Sequence, residues 1–113
     1  MYRKFILPAK PLHFRKEVQK LNLSAKEKKI FRSLGHHLKP EVWIGKEGIS
    51  SGAILTLQNS FHTKELVKIK VLENCPLKKD DIARQLSDAT AAEIIQILGN
   101  MILLYRPLPE EEE

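Results

Sequence analysis

Ten consecutive residues, Trp43-Ile44-Gly45-Lys46-Glu47-Gly48-Ile49-Ser50-Ser51-Gly52, hold the densest chemistry of this chain. A short apolar run, Val42-Trp43-Ile44, suits a strand. Glycines at both ends of the following four-residue loop let the backbone turn tightly and approach a neighbour closely. The serines that follow suit a helix start. Its free N–H groups and positive dipole end attract a phosphate, and Lys46 adds a point charge at the same place. A loop of this form can clamp a nucleic-acid backbone through its main chain, although Gly-x-x-Gly also makes ordinary strand-to-helix turns. Glu47 is an odd member of a phosphate site, and its charge is tolerated only if it points to solvent. Trp43 could stack on a base, but a Trp in a short strand more often belongs to a core.

Other groups invite chemistry and lose it on inspection. His36 and His37 are neighbours on a predicted helix, about 100° apart, so one metal cannot easily take both. His36 fits an exposed basic stripe, and His37 is expected to be partly buried beside Leu34 and Leu38. Asp80-Asp81 at a helix start reads as a cap and dipole partner rather than a catalytic pair. The single cysteine, Cys75, rules out an intrachain disulfide, has no second soft ligand nearby and fits a reducing compartment. No nucleophile–base pair is evident, so neither an enzyme nor a cofactor or metal site is expected.

The elements that must position the loop follow from local pattern. Ser24-Ala25-Lys26-Glu27 is a capping box, and the helix it opens should run to about Leu38, stopped by Pro40. Ile30, Phe31, Leu34 and Leu38 form its expected apolar face. Lys28, Arg32 and His36 form a basic stripe, flanked by Lys29 and Lys39. Charge stripes are usually just solvated, but this one leads through one short strand to the loop, so a continuous basic surface is expected. A second helix is predicted from Ser50 or Ser51 to His62, with Ile54, Leu57 and Phe61 inward. A strand over 66–72 should bury Val67, Ile69 and Val71 and wet Lys68 and Lys70. A third helix over 79–87 should bury Ile82, Ala83 and Leu86. Strands at 92–98 and 101–106 flank Gly99-Asn100, a hairpin signal. The second of them, apolar on both faces, belongs in a sheet interior. The order α-β-α-β-α-β-β predicts an α/β (α+β) fold, a small mixed four-stranded sheet with three helices. Strands separated by helices are expected to pair in parallel.

Length and charge bound the rest. The 113 residues suffice for one domain with one core. Residues 1–46 carry 12 Lys and Arg against 3 Glu, a balance of +9, while residues 47–113 carry 7 against 11 Asp and Glu, a balance of −4. A basic front half points to a polyanion, nucleic acid or an anionic surface. Residues 1–22 read as a basic extension with a short helix over 14–21, and residues 108–113 as an acidic disordered tail. Phe5-Ile6-Leu7 is too short for a signal-peptide core, and no Ser or Thr precedes Ser24 as a transit peptide would require. No apolar run approaches the ~20 residues that span a bilayer. A cytoplasmic monomer with no membrane partner is therefore expected.

With that order of elements, three sequence blocks occur together: Leu34-Gly35-His36-His37-Leu38-Lys39-Pro40, Ile44-Gly45-Lys46-Glu47-Gly48-Ile49 and Leu103-Leu104-Tyr105-Arg106-Pro107. Over residues 23–107 the chain resembles the CRM domain, named for chloroplast RNA splicing and ribosome maturation, in its stand-alone bacterial YhbY-like form. The resemblance implies a fold similar to the C-terminal domain of bacterial translation initiation factor 3. It also implies RNA binding by Lys28, Arg32, His36, Lys39, Gly45, Lys46, Glu47 and Gly48. Single-domain relatives are associated with ribosomal RNA of the precursor large subunit, which implies a role in ribosome assembly. The alternatives are another structured RNA, as in intron splicing or RNA chaperoning, or a basic protein-interaction module. The chain departs from the family at Gly35, where alanine is usual, and in its longer basic arm.

Overall fold

The structure, a computed structural model, describes residues 23–108. The basic arm, with the short helix expected in it, and the acidic run of the tail lie outside the described residues. The element order is α1 (Ala25–Gly35), β1 (Pro40–Ile44), α2 (Ser51–Phe61), β2 (Leu66–Val71), α3 (Lys79–Thr90), β3 (Glu93–Leu98) and β4 (Met101–Tyr105). The four strands form one sheet in the order β1-β2-β4-β3. β1 and β2 pair in parallel, and β4 is antiparallel to both its neighbours.

Local signals account for the helix starts. Ser24 Oγ accepts the Glu27 N–H at 3.1 Å, and Glu27 Oε1 accepts the Ser24 N–H at 2.9 Å, which completes the capping box. Ser50 caps α2 by accepting the Ala53 N–H at 3.1 Å. The Asp80-Asp81 pair differs from expectation. Lys78 is the N-cap of α3 and gives no side-chain cap, so the two aspartates occupy the first turn as dipole partners only. Asp81 also pairs with Arg84 at 2.8 Å.

The sheet has helices on both faces. Under α2 and α3 lies the larger core, built from Val42, Ile44, Leu57, Phe61, Val67, Ile69, Val71, Ile82, Leu86, Ile102 and Leu104. Alternate residues of the same strands form a smaller cluster under α1, with Phe31, Ile95, Leu103 and Tyr105 buried. Phe31 stacks on Tyr105 with ring centroids 4.4 Å apart. β4 is thus buried on both faces, as its unbroken apolar run requires.

Five expectations are corrected. β2 and β3 do not pair, because β4 returns between them and satisfies both ladders. α1 ends at Gly35 with His36 as its C-cap, three residues before Leu38, and α3 runs three residues beyond Ser87. The buried side of α1 carries Phe31 and Gly35, whereas Ile30 and Leu34 are 41% and 43% exposed. Gly35 allows this tilt, since a Cβ there would lie 2.5 Å from Leu103 Cδ2. Trp43 is not in the core: it is 54% exposed, between the buried Val42 and Ile44.

Polar ties lock the periphery. Arg106 Nη1 donates to the Thr90 carbonyl at 2.8 Å and to Gln58 Oε1 at 3.0 Å, with the guanidinium 5.1 Å from the Phe61 ring centroid. Burial lowers the pKa of this guanidinium. The end of β4 is thereby fastened to both helices of the larger core. Glu41 accepts from Lys64 Nζ, and from Ser60 Oγ at 2.7 Å. Partial burial pushes its carboxyl up, but the Lys64 and Ser60 donors outweigh that and leave it lowered.

Candidate functional site

The chain leaves the sheet at Ile44, whose carbonyl accepts the Leu72 N–H at 2.8 Å and so holds the strand end beside β2. Residues 45–48 then form a tight turn, with the Gly48 N–H donating to the Gly45 carbonyl at 2.9 Å. Lys46 and Glu47 occupy its two exposed corners. Gly48 has φ +71°, a left-handed conformation that disfavours any side chain. A Cβ on Gly48 would lie 3.3 Å from Leu77 Cδ1, and one on Gly45 3.3 Å from Leu72 Cδ1 and 3.6 Å from Asn74 Oδ1. The loop is therefore seated closely against the segment after β2.

Ile49, packed against the larger core, anchors the descent into α2. The Ser50 hydroxyl takes the Ala53 N–H. The N–H groups of Ser51 and Gly52, which no helical carbonyl reaches, remain at the helix end. Two main-chain donors and the positive end of an 11-residue helix therefore face outward at one exposed corner, with the exposed Lys46 four residues before the N-cap Ser50. That arrangement suits a phosphodiester. Among the described residues no group of three or more His, Cys, Asp or Glu is placed to hold a metal.

The basic stripe has a different position. Lys28 lies at one end of it, 4.0 Å from Glu93 Oε2 at the start of β3. The other oxygen of Glu93 is buried and has no hydrogen-bond partner among the described residues. Arg32 is half-buried, and His36 and Lys39 are exposed. His37 is exposed as well, not partly buried, because the helix ends before it and the turn carries its ring outward.

The C-terminal end of α1 meets Leu103, which is in register with Lys68, itself in register with Pro40 at the start of β1. The loop lies beyond the other end of β1, four residue steps on, or about 13 Å at the usual strand rise. The end of the stripe and the loop therefore lie toward opposite ends of β1. The half-buried Lys68 and Lys70 stand on the α1 face of β2 between them. Their alternation with Val67, Ile69 and Val71 predicted a wet face opposite the core; α1 lies against that face, and both lysines are half-buried. The lateral alignment with β1 depends on strand pairing, which local pattern does not reveal.

Comparison with known proteins adds a family. Residues 23–106 match the family model of the CRS1 / YhbY (CRM) domain. The Bacillus subtilis (strain 168) protein named Probable RNA-binding protein YqeI is 34% identical over 91 residues, covering 80% of this chain and 95% of that one. Probable RNA-binding protein MJ0652 of Methanocaldococcus jannaschii is 38% identical over 96 residues, 83% of this chain and 71% of its own length. The solution structure of the Staphylococcus aureus protein SAV1595 superposes with a TM-score of 0.68 at 38% identity, covering 80% of this chain and 94% of that one.

Proposed function

This chain belongs to the CRS1/YhbY (CRM) domain family, and we propose that it binds RNA through the Gly45–Gly48 loop and the basic side chains of α1. The single observation that carries the reading is the loop itself. Its main chain is bent through a left-handed Gly48 onto the head of α2, with Lys46 exposed beside it. Such a corner recognises a phosphodiester backbone by geometry and leaves base identity unread. The names of the Bacillus and Methanocaldococcus relatives agree with an RNA partner. Lys28, Arg32, His36 and Lys39 supply the longer-range field, and Lys68 and Lys70 extend it along the sheet.

The RNA in this proposal is ribosomal RNA of the precursor large subunit, the protein acts in ribosome assembly in the cytoplasm, and it works as a monomer without catalysis. The Bacillus relative supports a stand-alone role, because 95% of its length aligns with this one domain. A compact basic domain of this kind can hold or shield a folded RNA site until assembly moves past it.

Sedimentation of a cell lysate at moderate salt tests the assembly role. The protein should travel with particles at or below the large subunit and be depleted from polysomes. Free migration at every salt concentration, or migration with polysomes, would remove that role. Titration of purified protein with large-subunit RNA transcripts tests the RNA reading separately, and absence of binding at low salt would overturn it.

A further inference from the structure

The α1 face of the sheet is only partly covered. α1 lies over the rows that contain Tyr105 and Leu103, and among the described residues the next row toward the loop is exposed at both its ends. Its members follow from the register. Trp43 pairs with Lys70, Lys70 with Met101, and Met101 with Leu98. All four lie on the face opposite the larger core, since their strand neighbours Val42, Ile44, Ile69, Val71 and Ile102 belong to that core. Trp43 at 54% and Leu98 at 55% are among the most exposed large apolar side chains of the described residues. Trp43 stands two residues before Gly45, on the strand that delivers the loop.

We infer that Trp43 and Lys70 form a subsite for an unpaired nucleobase, with the indole stacking on the base and the ammonium holding the phosphate beside it. The inference rests on the RNA-binding reading and deepens it by specifying a single-stranded element next to the clamped backbone. Three features select this occupant. The indole offers a flat, sequence-tolerant stacking face. Its lateral neighbour is a cation, which favours a polyanion over an apolar protein surface. The row also lies between the loop and the stripe on α1, so a strand that touches both must cross it. The nearest acid on β1, Glu41, is already engaged by Lys64 and Ser60.

Trp43 is the sole tryptophan of the chain, so its fluorescence reports this subsite directly. The full chain is titrated at low salt with an RNA hairpin that carries a single-stranded loop, and with a blunt duplex of the same stem. The hairpin should quench the emission strongly and the duplex weakly. Trp43→Leu should weaken hairpin binding roughly 5- to 140-fold, the range for losing one base–aromatic stack, and Trp43→Phe should restore most of it. Thermal midpoints of both variants should stay close to the parent, because the side chain is exposed.

Hairpin binding that a Gly48→Val change weakens but Trp43→Leu leaves untouched, with unchanged emission, overturns the subsite and leaves the RNA reading standing. Failure of the parent chain to bind either RNA overturns both. Emission that shifts with protein concentration alone, together with dimers abolished by Trp43→Leu, assigns the row to a second copy of the chain and also refutes the proposal.

Discussion

Replacing Gly48 by valine separates a loop that works through its main chain from one that merely connects two elements. At φ +71° a branched side chain is strained, and the left-handed region costs an L-residue about 1–2 kcal/mol. Steric room is the smaller issue, since a Cβ would lie 3.3 Å from Leu77 Cδ1 and Leu77 is exposed enough to yield. The variant therefore either keeps the turn under strain or relaxes Gly48 and gives up the 2.9 Å bond from its N–H to the Gly45 carbonyl. A relaxed loop must regain its geometry on binding, so the same ~1–2 kcal/mol reappears as roughly a 5- to 30-fold loss of RNA affinity. The β-branched side chain adds to the loss by blocking close approach of a phosphate. Gly99 provides the control: its φ is +59° and a Cβ there would meet nothing within 4 Å. Gly99→Val should destabilise the fold comparably and leave RNA binding unchanged. Thermal unfolding and a fluorescence titration of both variants measure the two effects. Parental affinity in Gly48→Val, or an equal loss in Gly99→Val, would refute the reasoning.

Three more outcomes are expected. Gly35→Ala should gain up to about 1 kcal/mol of helix propensity and lose about 1–3 kcal/mol by crowding Leu103; its thermal midpoint should fall, and Leu103→Val in the same chain should recover part of the loss. Exchanging Lys28, Arg32, Lys39 and Lys46 for alanine should flatten the slope of log affinity against log salt by about 0.7–0.9 for each phosphate contact removed; an unchanged slope would move the surface onto Lys68 and Lys70. The lowered Glu41 carboxyl contributes stability above the unfolded-state value, about 4.3 for glutamate, and loses it as pH falls through the folded-state value. Glu41→Gln should therefore lower the thermal midpoint slightly at neutral pH and approach the parent in acid, the effect being small because Lys64 is largely solvated.

Much of this architecture was legible because its causes are local. The capping box at Ser24 and Glu27 involves bonds across three residues, so four letters of sequence suffice to place it. The alternation of Val67, Ile69 and Val71 with two lysines reports which side of β2 meets the core. Gly99-Asn100 marks the reversal between β3 and β4, and the unbroken apolar run of β4 implies neighbours on both faces. Gly45 and Gly48 identified the loop, because a left-handed residue in a tight turn all but requires glycine.

Tertiary structure decided what depends on partners distant in sequence. β4 lies between β2 and β3 because two antiparallel ladders satisfy its backbone on both sides, and no segment of the chain carries that information alone. The helical period of α1 allowed Ile30 and Leu34 to face inward; packing of Gly35 against Leu103 and of Phe31 against Tyr105 turned them outward. Arg106 reads as one more basic residue, yet its Nη1 donates to Thr90 and Gln58, 16 and 48 residues away. Trp43 shows the difference most plainly. Its residue type favours a core, but its position opposite Val42 and Ile44 puts it on a face that an 11-residue α1 covers only in part. Local chemistry determined where the backbone turns toward a phosphate, and the register of four strands determined which side chains stand beside it, because register is a property of pairs of segments and not of either one.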